Sequence, residues 1–141
     1  MYKFNIKNFI MEKQILKRFT MNVDHTNPDA KVTFTSVGNG KTEKEAAVFA
    51  LGMFYKVMDG EEGDQGIQNY EDALEIVSEK LQYDGGVDQV IDSLIKSEVK
   101  KDSDIFGNTY DHTEVDYGFS EIENVTECGY ISKMVVTEPE Y

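Results

Sequence analysis

Three stretches of the chain carry residue types whose spacing could do chemistry. The first is "SVGNGKT", which ends in Gly40-Lys41-Thr42. A phosphate-binding loop reads G-x-x-x-x-G-K-[ST], because several backbone N–H groups must wrap the phosphates while the lysine neutralises their charge. Thr35 stands where the first glycine belongs, inside a stretch that alternates like a strand. Gly38, Gly40, Lys41, Thr42 and Lys44 therefore form a candidate set for a small ligand or nucleotide, weighed against a plain strand-to-helix turn. The second stretch, Gly60 to Glu71, puts Glu62, Asp64, Ile67 and Glu71 at calcium-loop positions three, five, eight and twelve. Positions one and six are Gly60 and Gln65, which removes the leading carboxylate and the turn glycine, so no metal site is expected. The third is the repeated Asp-His-Thr at Asp24 and Asp111, whose His25 and His112 could act as an acid–base or metal pair if the fold joined them. Cys128 has no readable base beside it. No catalytic residue is nominated, no cofactor is expected, and the chain reads as a non-enzyme.

Charge is the stronger signal. The net charge is -13, with nine Lys/Arg against five Asp/Glu up to Met58 and five against 22 from Asp59 onward. A field of that sign repels nucleic acid and anionic membrane and steers basic partners over about 8 Å at physiological salt. Tyr110, Asp111, Glu114, Asp116, Tyr117, Glu121, Glu123, Glu127 and Tyr130 interleave carboxylates with tyrosines and form the candidate partner-binding set. Carboxylates on a rigid scaffold can occupy Lys/Arg grooves that normally hold phosphates, with tyrosine adding contact area. In size, charge and lack of a catalytic motif the chain resembles the small acidic anti-CRISPR and anti-restriction inhibitors of phages and other mobile elements. That resemblance implies a basic nucleic-acid-binding partner, such as a host defence nuclease, met in the host cytoplasm, with no direct contact to nucleic acid or membrane. Two other readings stand beside it: small-ligand sequestration at the Gly38–Lys44 turn, and self-assembly of the basic half of one subunit on the acidic half of another. The oligomeric state stays open.

The elements that must position these residues read as one α+β domain of 141 residues. The single cysteine rules out an internal disulfide, and no apolar run approaches the ~20 residues of a membrane span. Residues 1–10 read as an extension, an upstream start before Met11, or an edge strand. "QILKRFTMNV" and "KVTFTSV" form an antiparallel hairpin around "DHTNPD". Thr42 and Glu45 form a capping box that opens a helix with Ala46, Phe49, Ala50, Met53, Phe54 and Val57 on one face. Residues 59–68 read as a mobile acidic loop. Asn69 caps a second helix with Tyr70, Ala73, Leu74, Val77 and Leu81 inward, and Gly85-Gly86 ends it. Val87, Val90, Ile91, Leu94 and Ile95 mark a third. "EVDYGFSEI" and "CGYISKMVVTE" read as C-terminal antiparallel strands. The run Gly38, Gly40, Thr42, Lys44, Ala46, Ala50 resembles the C-terminal part of a double-stranded-RNA-binding domain, over about a quarter of the chain. Glu43 and Ala47 stand where that family has phosphate-gripping lysines.

Overall fold

The computed structural model describes residues 15–26, 31–60, 67, 69–99, 104–106, 112–123 and 132–137. The expectations for residues 1–10, for most of the 59–68 loop and for Cys128 fall outside them. Strands β1 (Leu16–Thr26) and β2 (Lys31–Gly40) pair antiparallel, β3 (His112–Ile122) pairs antiparallel with the other side of β1, and β4 (Ser132–Thr137) with the other side of β2. The order is β3-β1-β2-β4. With three helices, the architecture is α+β.

The hairpin is longer than its apolar pattern predicts. "DHTNPD" suggests a turn starting at Asp24, yet the ladder continues to Thr26↔Lys31. Cross-strand bonds favour the extension: Thr33 Oγ1 donates to Asp24 Oδ1 at 2.7 Å, Lys31 Nζ lies 3.7 Å from Asp24 Oδ2, and His25 meets Phe34 edge-on at 5.3 Å. At the other end β2 runs through Gly38 to Gly40 rather than stopping at Val37. Because side chains alternate between faces, Phe19, Met21 and Val23 are buried on the helix side of the sheet, and Ser36 opposite Met21 donates its buried hydroxyl to Ala50 O at 2.5 Å. The far side is polar, with Thr35 Oγ1 donating to Asn22 Oδ1 at 2.7 Å and Arg18 Nε to Asn39 Oδ1 at 2.9 Å.

Helix α1 (Glu43–Met58) lies on the apolar side. Thr42 Oγ1 accepts from Glu45 N–H at 3.1 Å, and the Glu45 carboxylate accepts from Lys41 N–H at 2.8 Å, so the capping box forms with its return bond one residue earlier than the usual donor. Every residue from Ala46 to Tyr55 is buried. The one-sided stripe expected from sequence is thus an underestimate, because α2 (Tyr70–Lys80) covers the side of α1 that the sheet leaves bare. The two helices meet at Gly52, where an added Cβ would stand 3.2 Å from Ala73 Cβ and 3.1 Å from Ile67 Cδ1. Ile67 is buried, and its N–H reaches Met53 Sδ at 3.3 Å, so this one residue of the 59–68 segment is anchored in the core. Helix α3 (Val87–Ile95) adds Val90, Ile91 and Leu94, and the 3-10 turn Asp104–Phe106 adds Ile105 and Phe106. Phe19, Phe54 and Phe106 are fully buried, each worth about 1.5–3 kcal/mol in apolar transfer. Among the described residues no helix is long and apolar enough to cross a membrane.

Candidate protein-binding interface

The glycine-lysine-threonine turn is built for packing. A Cβ on Gly38 would lie 2.1 Å from Ala46 O and 2.6 Å from Ala50 N, and one on Gly40 would lie 2.6 Å from Glu45 Cβ and 2.8 Å from Ala46 N. Neither glycine is in the left-handed region, so it is the close approach of α1, not the backbone angle, that requires them. Thr42 caps α1, and Lys44 forms an ion pair with Asp88 of α3 whose hydrogen bond raises the ammonium's pKa against desolvation. Lys41 is exposed and makes no ion pair among the described residues.

The two histidines do not form a register pair. His25 lies opposite Thr113, and His112 opposite Thr26. The His25 ring nitrogen Nε2 sits 3.1 Å from Phe106 O, a tie between β1 and the 104–106 turn. Among the described residues no group of three His, Cys, Asp or Glu could hold a metal ion.

Strand β3 divides the residues expected to act together. Glu114 and Asp116 are exposed on the polar side of the sheet. Tyr117 is on the other side, its ring 5.8 Å from Phe19 and 6.3 Å from Phe106. Burial pushes its hydroxyl up in pKa, opposed by hydrogen bonds to the Val99 backbone and the Ser97 side chain. Glu121 pairs with Lys17 on that same side, and Glu123 is exposed just past the strand. Tyr110, Asp111, Glu127 and Tyr130 lie outside the described residues. The interleaving of Tyr117 with Glu114 and Asp116 is therefore corrected: period-two alternation puts the half-buried tyrosine on the helix side with Glu121 and sends Glu114 and Asp116 to the opposite face.

A denser acidic surface lies on α2, where sequence reading followed only the apolar side. Asn69 Oδ1 accepts from Glu71 N–H at 2.8 Å and starts the helix, and Ala73 and Val77 are buried. Glu71, Asp72, Glu75 and Glu79 are exposed, and none makes an ion pair among the described residues. At 1.5 Å rise per residue the four charges span about 12 Å, one per roughly 4 Å, close to the one charge per ~3.4 Å of a single DNA strand. The two lysines between Asn69 and Val99 are engaged elsewhere, Lys80 with Asp59 at 2.8 Å and Lys96 with Asp92 at 2.9 Å. From Asn69 to Val99 there are eight carboxylates and two lysines. Past the helix, Gly85 and Gly86 take φ of 92° and 91°, and Tyr83 beside them is 89% exposed. Tyr83, not Tyr117, is the described tyrosine displayed among carboxylates. The available signal was the Glu71-Glu75-Glu79 spacing: like charges at i,i+4 destabilise a helix by a few tenths of a kcal/mol per pair, so helix stability alone does not account for them.

Since α2 packs on α1, on the apolar side of the sheet, its carboxylates and those of Glu114 and Asp116 face opposite ways. No protein-family model, curated protein or solved structure matches the chain.

Proposed function

We propose that this protein is an acidic inhibitor that occupies a basic nucleic-acid-binding groove of another protein, such as a defence nuclease, through the outer face of α2 and the Tyr83 turn. The observation that carries the reading is the row Glu71, Asp72, Glu75 and Glu79, none of them ion-paired among the described residues, with a charge spacing near that of a phosphate strand. A groove that holds phosphates presents lysines and arginines at matching intervals, and each aligned carboxylate gains charge-assisted hydrogen bonds. Tyr83 supplies a rigid, amphipathic contact of the kind that anchors protein interfaces. Such an inhibitor works by occupancy and needs no reacting group.

The test is cleavage of a labelled duplex by a panel of basic defence nucleases, with the protein added at low and high salt. At least one nuclease should be inhibited, with potency falling as salt rises. Joint replacement Glu71→Gln, Glu75→Gln and Glu79→Gln should weaken the effect about 30-fold, while Glu114→Gln with Asp116→Asn should not. Inhibition that is indifferent to salt and to the α2 replacements rejects the reading.

A further inference from the structure

The C-terminal ends of α1 and α2 and the Asp104–Phe106 turn enclose a cleft of about 260 Å³. It is smaller than the ~300–1,000 Å³ typical of sites for drug-sized ligands, and suits a single extended side chain. Its floor is apolar and buried, from Phe54, Leu81 and Ile105, and its rim is exposed, from Met58, Asp59 and Asp84. Tyr55 closes one wall, its hydroxyl donating to Ile105 O at 2.9 Å. Both helices end here, so the negative poles of two helix dipoles reinforce the two carboxylates. Asp84 makes no ion pair among the described residues. Its charge reaches the wall: the Tyr55 hydroxyl is pushed up in pKa by burial first and by Asp84 second.

We infer that this cleft is a socket for one arginine side chain of the protein partner, its stem lying along Met58 above the buried Phe54 and Leu81 and its guanidinium held between Asp59 and Asp84. The charge pattern selects a cation, and the apolar floor selects a long stem over a small ion. A planar guanidinium can donate to two carboxylates at once, which an ammonium does less well. The rim already holds a cation, since Lys80 pairs with Asp59 from the edge of the same cleft. An entering guanidinium therefore competes with Lys80 for Asp59 and finds Asp84 open. That the arginine comes from a protein partner rests on the function proposed above. The cleft's preference for a cation does not.

The experiment is a titration of the full chain with N-acetyl-arginine amide, followed by backbone amide shifts in NMR. N-acetyl-citrulline amide, the neutral isostere, and N-acetyl-lysine amide serve as comparisons. Saturable shifts at Met58, Leu81 and Asp84 with arginine, weaker ones with lysine and none with citrulline are expected. Asp84→Asn should weaken binding, and Lys80→Met should strengthen it, each by about two- to fivefold, the range of an exposed ion pair. Equal response to citrulline overturns the inference, as do shifts confined to the outer face of α2 or indifference to both substitutions. The Glu71, Glu75 and Glu79 triple variant separates the two proposals. Arginine binding that survives in that variant, with nuclease inhibition absent from the wild type, sinks the inhibitor reading and leaves the socket standing. Inhibition without arginine binding sinks the socket alone.

Discussion

At the junction of β2 and α1 the chain leaves no room for one added methyl group at Gly38, whereas along α2 four carboxylates face solvent with no ion pair among the described residues. The junction has the residue types of a reactive site, with its glycines, lysine and threonine, and uses them to bring a helix against a strand. The α2 face has the pattern of an ordinary amphipathic helix and holds the surface with charge to spare. Substitutions at the junction should act on stability, and those on α2 on binding. The two are separable because α2 meets α1 through Ala73 at Gly52 and keeps its glutamates off that contact.

The largest effect is expected from Gly38→Ala. Its Cβ would press on backbone atoms of α1 that cannot swing aside, at a cost of about 3 kcal/mol or more, the upper end for overpacking. Urea denaturation should show the midpoint falling, and a midpoint unchanged from wild type would mean that α1 sits less tightly on β2. Next is the triple replacement of Glu71, Glu75 and Glu79 by glutamine, expected to weaken inhibition about 30-fold, or about 2 kcal/mol, while leaving the urea midpoint the same or slightly higher because like-charge repulsion is relieved. A drop in stability without loss of binding would invert the comparison.

Tyr55→Phe should cost about 1 kcal/mol at neutral pH through the lost bond to Ile105 O. It should also change the alkaline limb. Because burial raises the folded-state pKa of Tyr55 above its unfolded value near 10, the stabilisation it provides is complete below that pH. It is then lost as pH rises toward the folded value, at about 1.4 kcal/mol per pH unit. The phenylalanine variant should lack this part of the slope in denaturation curves above pH about 10. The smallest pair sharpens the junction itself: Thr42→Ala should cost about 1 kcal/mol through the lost cap, and Lys41→Ala less than about 0.5 kcal/mol. Thermal unfolding of the two variants with and without excess inorganic phosphate should show no phosphate effect in either; a phosphate-induced stabilisation lost in Lys41→Ala and kept in Thr42→Ala would mean that the turn grips an anion.

What could be read in the sequence was local. The hairpin, the Thr42 cap, the Asn69 cap and three helices each rest on apolar spacing and end signals within a few residues. The extension of β1 to Thr26 was not legible, because it depends on Thr33 and Lys31 reaching Asp24 across the hairpin. Nor was the enclosure of α1, which needs Ala73 to dock at Gly52. The candidate interface was legible in part. Linear proximity groups Tyr117 with Glu114 and Asp116, but the apolar period Val115, Tyr117, Phe119 already separates them. The i,i+4 row on α2 emerges when the polar side of the helix is counted as carefully as the apolar one. The exposure of Tyr83 depends on the left-handed Gly85-Gly86 turn, which composition marks as a helix end without saying what it displays.

The position of β1 in the sheet has a consequence for synthesis. One side of β1 finds β2 as soon as the hairpin leaves the ribosome, but the other side waits for β3, which begins only at His112. At ~5–20 residues per second, that interval is roughly 4 to 14 s. Throughout it the nascent chain carries a strand from Leu16 to Thr26 with an open row of backbone donors and acceptors. Such an open edge is a template for pairing with another chain, and it closes when His112 and the residues after it emerge to pair with β1.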